Sequence, residues 1–177
     1  METIDITIYK DDVYEEVAKA TDYTGAKLID GDASARDRIL ATDSDLSDLS
    51  RFWEEAVLAT NERLKEMLVS GTTKQVTQYA EAVPKETQTQ AFPIDPIPIK
   101  IRTAYVAKLE VSKSFDKELT QSVQSTLRNF FIFSIIGQWF KLANKGEAAD
   151  NFTQAGEMMT AAERLLYSRK KPTRPQD

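Results

Sequence analysis

The chain contains no histidine and no cysteine among its 177 residues. The first absence removes the commonest general base, the commonest metal ligand and every histidine-dependent catalytic triad at once. The second excludes disulfides and thiolate metal sites, and fits an origin in a reducing cytoplasm. Glycine is scarce at six residues, which form neither a glycine-rich phosphate loop nor a Gly-x-Ser-x-Gly elbow. Long apolar runs are missing as well. The most apolar stretch, Phe130 to Leu142, covers 13 residues, against the roughly 18–20 needed to span a bilayer. Carboxylate or lysine chemistry is what remains for catalysis, and no constellation of either stands out. The expectation is a protein that is not an enzyme, with no catalytic residue, no cofactor and no metal.

Two acidic clusters test the last point. Asp30-Gly31-Asp32 and the group Asp43, Asp45, Asp48 look like fragments of a calcium loop. Neither keeps the spacing of aspartate or asparagine, glycine and closing glutamate that such a loop requires. Helix caps and solvated acids account for both.

What is present fits one soluble domain with enough length for a core: 23 basic and 28 acidic side chains, with 41% of residues hydrophobic. The charge is unevenly placed. Residues 1–60 hold 15 acidic and 6 basic side chains, net −9, which leaves 13 acidic and 17 basic in the remainder, net +4. One account is an acidic face and an ordinary basic tail. The other is self-complementarity, the acidic end of one copy facing the basic end of the next in a head-to-tail assembly. The acidic total argues against a dedicated duplex-DNA binder.

In chain order, residues 3–8 alternate as a short strand, and with Met1 leading directly into it no signal peptide is expected. Asp11 and Asp12 stand at the start of a short helix carrying Val13, Val17 and Ala20, which Tyr23-Thr24-Gly25 is expected to break. A second short helix is expected over Ala33 to Leu40. The cap signal Thr42-Asp43-Ser44-Asp45 opens a helix from about Leu46 to Val69, with Trp53 as core anchor and Gly71 at the C′ position. Residues 72–112 then read as a β-hairpin insertion. Thr73–Val83 would pair with a long strand in which Ile97, Ile99, Ile101, Tyr105, Ala107, Leu109 and Val111 alternate with Lys100, Arg102, Lys108 and Glu110.

A helix capped by Ser114 and ending at Asn144 to Gly146 is the centre of the molecule. Its early part has one apolar face (Phe115, Leu119, Val123, Leu127, Phe130), and from Phe130 it is apolar nearly all round. That pattern suits a core helix, or one whose extra face meets another subunit; Ser134 and Gly137 share a face that admits a close backbone approach. A last helix over about 147–168 places Phe152, Ala155, Met159, Ala162 and Leu166 together. Residues 169–177 form an extended basic tail that cannot stay helical past Pro172. The expected fold is mainly α, with minor α+β character. A bundle of long helices carries an inserted β-hairpin arm at about 72–112, in one domain over 1–168 with an extended C-terminal tail.

Short motifs add a resemblance. Asp11-Asp12-Val13-Tyr14-Glu15-Glu16-Val17-Ala18 with Tyr23-Thr24-Gly25-Ala26-Lys27, then Arg51-Phe52-Trp53-Glu54-Glu55, then Leu165-Leu166-Tyr167-Ser168-Arg169-Lys170-Lys171-Pro172, together resemble small structural proteins of tailed-phage and prophage modules of gut Bacteroidales. The layout is similar to head–tail connector (neck or adaptor ring) proteins. That resemblance implies a virion protein assembled in the host cytoplasm as a homo-oligomeric ring of about a dozen copies. Its partners would be portal and tail proteins, with DNA only passing through the lumen and no membrane involved. Function would be geometric. Lys100, Arg102 and Lys108 on the arm, with Arg169, Lys170, Lys171 and Arg174 on the tail, are the expected interface residues. The competing expectation is a cytoplasmic helical adaptor or regulatory domain.

Overall fold

Three isoleucines at alternate positions, Ile4, Ile6 and Ile8, direct β1 (Glu2–Tyr9) into the core, and all three are buried in the computed structural model. The structure describes residues 1–28, 41, 45–79, 98–143 and 145–170. After β1 come α1 (Lys10–Leu28), α2 (Leu46–Arg63), β2 (Leu68–Tyr79), β3 (Pro98–Val111), a 3-10 turn at Lys117–Leu119, α3 (Thr120–Ala143) and α4 (Lys145–Leu166). The fold is mainly α with a small antiparallel sheet of order β1-β3-β2. Among the described residues, no helix is long and apolar enough to cross a membrane.

β3 is the middle strand. Ile4, Ile6 and Ile8 lie opposite Leu109, Ala107 and Tyr105, so one face of the sheet is continuous apolar surface. α1, α2 and α3 pack against the sheet, and α4 packs along α3. The inward alternation read from the sequence holds at Tyr105, Ala107, Leu109 and Val111, all buried, and then runs out of cover: Ile101 is 65% exposed. β1 pairs only as far as Ala104, so residues 98–103 pair with β2 alone and form a two-stranded ribbon beyond the three-stranded part. The expected insertion at about 72–112 is therefore corrected. The paired segments run 68–79 and 98–111, and β1 joins them in one sheet.

α3 is the hub. Val123, Leu127, Phe130, Phe131, Ile132, Ile135, Ile136, Gly137, Trp139 and Phe140 are all buried, each large side chain contributing about 1.5–3 kcal/mol through burial. Phe131 sits 4.9 Å from the Trp53 ring centre and 5.4 Å from that of Tyr105, while Tyr14 meets Trp53 edge-on at 6.3 Å. Trp53 is the expected anchor, fully buried, and its Nε1 donates to Thr73 Oγ1 at 3.0 Å. Gly137 does admit a close neighbour, but the neighbour is a ring: a Cβ there would lie 3.0 Å from Phe152 of α4.

Four expected boundaries are corrected. α1 continues through Tyr23, Thr24 and Gly25 to Leu28, and inside it buried Thr21 donates back to the Val17 carbonyl and accepts from Ala41 N–H. α2 stops at Arg63, not Val69. A turn closed by Met67 N–H on the Leu64 carbonyl reverses the chain, and Glu110 N–H takes the Met67 carbonyl, so pairing with β3 wins over two more helical turns. The central helix starts at Thr120 rather than Ser114; Phe115 is buried, and Asp116 accepts from Glu118 N–H to open the 3-10 turn. It ends at Ala143, and Gly146 lies inside α4, which runs 145–166. The short helix expected over Ala33 to Leu40 lies outside the described residues.

Candidate interaction surface

The expected interface residues separate into two groups. On the ribbon, Arg102 is 11% exposed and is already engaged within its own chain. Its Nη2 and Nε donate to Asp11 Oδ1 at 2.7 and 3.0 Å, its Nη2 also reaches Asp12, and its guanidinium lies 4.1 Å from the Tyr9 ring centre. Lys100 adds a pair to Asp11 Oδ2 at 3.1 Å. The Arg102 hydrogen bonds hold the Asp11 carboxyl down at about 2, against desolvation that opposes them, and the same bonds raise Arg102. Asp11 and Asp12 belong to the first turn of α1, where the helix dipole also favours acids. The cluster is thus a clamp between β3 and the start of α1, with Arg102 its most covered member and Lys100 its most exposed.

Lys108 faces solvent further along β3, opposite Asp5 of β1. Arg169 and Lys170 follow α4 and lie against the Phe115 segment: Phe115 and Arg169 form an isolated antiparallel bridge, and Lys170 N–H donates to the Ser114 carbonyl at 2.8 Å. Both side chains are exposed. Lys171 and Arg174 lie outside the described residues. Phe115 follows the end of β3 at Val111, and from Arg102 to Val111 the strand advances roughly 30 Å. Ribbon basics and tail basics are consequently separate patches.

Sequence reasoning missed two features. One is a half-buried polar cluster beneath α1, where Lys10 Nζ donates to Ser50 Oγ at 3.0 Å and lies 5.4 and 5.8 Å from the Tyr14 and Trp53 rings. Burial lowers the Lys10 pKa, with Glu54 partly offsetting it. Burial likewise raises the Tyr14 phenol, Glu54 adding to the rise and the nearby Ser50 hydroxyl opposing it. Its ring contacts are those of a packed layer. No local motif announces it, because Lys10 and Ser50 are 40 residues apart in the chain.

The other is a groove between α2 and α4, which both lie on α3. It has a volume of about 890 Å³, a floor that includes Phe130, Met158 and Met159, and charged residues Arg63, Glu157 and Arg164 around it. A second hollow of about 570 Å³ adjoins it across the Arg63–Glu163 ion pair, whose Nε–Oε1 distance is 2.6 Å. At Gly156 an added Cβ would meet nothing within 4 Å. Such a groove suits an apolar side chain or helix face rather than a reacting group. No cluster of three or more metal-ligating side chains occurs among the described residues. Comparison with known proteins finds no matching family, no matching curated sequence and no matching solved structure.

Proposed function

We propose that this chain is a virion structural subunit of the head–tail connector type, acting by assembly into a ring between portal and tail and not by catalysis. The observation that carries the reading is the partition of charge, net −9 over residues 1–60 and net +4 over the rest. The exposed remainder of that charge supplies both signs for a heterologous contact between copies that closes on itself. The ribbon of residues 98–103 with β2 reaches beyond the three-stranded sheet, and Arg169 and Lys170, where the basic tail begins, lie exposed beside Phe115. Both features support the reading. In this reading Lys108, Arg169, Lys170, Lys171 and Arg174 carry intersubunit or portal contacts, Lys100 contributes from the ribbon, and Arg102 supports the ribbon from within.

The test is mass by light scattering across concentration, with negative-stain images, for the chain alone and with portal protein. Closed rings of about a dozen copies support the connector reading. Changing Arg169, Lys170, Lys171 and Arg174 to glutamate should weaken assembly while leaving the melting temperature unchanged. A chain that stays monomeric with portal present overturns the reading. The cytoplasmic adaptor reading then takes its place, favoured by the open groove between α2 and α4.

A further inference from the structure

The two edges of the sheet are not equivalent. On β1, Thr7 N–H turns away from β3 and donates to Gln124 Oε1 of α3 at 3.2 Å. Residues of an antiparallel strand alternate between pointing at one neighbour and at the other. Val106, opposite Thr7, therefore bonds across to Thr72 of β2. Glu110 N–H obeys the same parity, donating to the Met67 carbonyl at 2.7 Å on the β2 side. So does Gly71, whose carbonyl accepts from Asn61 Nδ2 at 3.1 Å rather than from β3. It follows that Thr73, Gln75 and Thr77 direct their N–H and C=O groups outward from the sheet. Among the described residues, none of these six groups has a partner.

Open edges are normally blunted by charge, proline or a bulge. Over Leu68–Tyr79 there is no proline and a single charged residue, Lys74, and the irregularities fall at the two ends, at Leu68/Ser70 and Gln78/Tyr79. We infer that β2 pairs edge to edge with β2 of a second copy of this chain, antiparallel about a two-fold axis at Gln75.

Three observations choose this occupant and register. The β1 edge is a poor complement, because Gln124 already holds Thr7 N–H and the strand carries Glu2 and Asp5. A two-fold at Gln75 sets outward groups against outward groups, Gln75 on Gln75 and Thr73 on Thr77, and uses all six. Moving the axis to Lys74 would oppose two lysines at close range, whereas at Gln75 each Lys74 faces Val76. The pairing also supplies cover. Thr77 and Ile101 are register partners at the exposed end of the ribbon, while Thr73 is bonded to Trp53 at the helix-covered end. Setting Thr77 beside the second copy's Thr73 brings a helical layer toward the bare Ile101 face.

This contact is isologous and does not depend on the connector reading. It is tested with the full chain by light scattering and amide exchange. The expected species has twice the 20.0 kDa chain mass, with the Thr73, Gln75 and Thr77 amides protected. Gln75→Lys and Gln75→Glu, at an exposed side chain, should each weaken pairing roughly tenfold or more with unchanged melting temperature. Mixing the two variants should restore it. If larger assemblies form, protection of the three amides remains the readout. A monomer at every concentration, freely exchanging β2 amides in whatever assembly forms, or a Gln75→Lys chain that pairs as well as the original overturns the inference.

Discussion

At the scale of single residues, two glycines carry opposite constraints. Gly71 reads in sequence as the C′ residue of a helix, yet it sits inside β2, and its reason for being glycine is space. A Cβ there would fall 2.3 Å from Asn61 Oδ1 and 2.9 Å from the Tyr105 hydroxyl oxygen. Those two atoms are bonded to each other at 2.8 Å, so neither moves freely. Gly71→Ala should therefore destabilise by about 1–3 kcal/mol. Gly156, exposed in the middle of α4 with nothing near its missing Cβ, should respond with the other sign. Gly156→Ala should stabilise by roughly 0.5–1 kcal/mol through helix propensity. Urea unfolding of both variants checks the pair. The added double variant Asn61→Ala/Gly71→Ala should lose less than the sum of its singles, because the clash and the bond share one side chain.

At the scale of elements, the legible parts were those whose pattern is local. Ile4, Ile6 and Ile8 gave β1, the odd positions from Tyr105 to Val111 gave the buried face of β3, and Phe130 to Phe140 marked α3 as the core helix. The end of α2 was not legible, since Leu64, Met67 and Leu68 keep helical spacing whether or not the chain turns. Only the pairing of Leu68 with Leu109, remote in sequence, decides it. Nor was the joining of β1 to β3, which turns a two-stranded arm into part of a sheet. The role of Arg102 was hidden for the same reason: its carboxylate partners lie 90 and 91 residues away. That clamp makes a pH prediction. Asp11 falls from 3.8 to about 2 in the folded chain, so its contribution is fully present above pH 3.8 and is lost as pH drops toward 2. The slope will be small, because the side chain is 44% exposed and screened. Arg102→Met should flatten stability against pH in that window while costing stability at neutral pH, measured by urea midpoints between pH 2 and 6.

At the scale of the molecule, α2 and α4 are the two helices that flank α3 without closing over it, and the groove between them separates the two functional readings. A ring held by opposite charges does not need this groove, whereas an adaptor that receives a partner's apolar side chain or helix does. Gly156 offers a way to fill it without unfolding anything, since its Cβ direction is open and α4 keeps all its contacts with α3. Gly156→Leu adds an isobutyl group to the wall of the groove that Phe130, Met158 and Met159 also line. The folded chain should keep or gain stability by roughly the same propensity increment as alanine. Assembly with portal should be unchanged and should weaken with added salt, as contacts between exposed charges do once the screening length falls below about 10 Å. Light scattering of the variant with portal, at low and high salt, reads both effects at once. Salt-sensitive assembly that survives the filled groove assigns the work to the charged ends of the chain; assembly lost on filling, and indifferent to salt, assigns it to the groove.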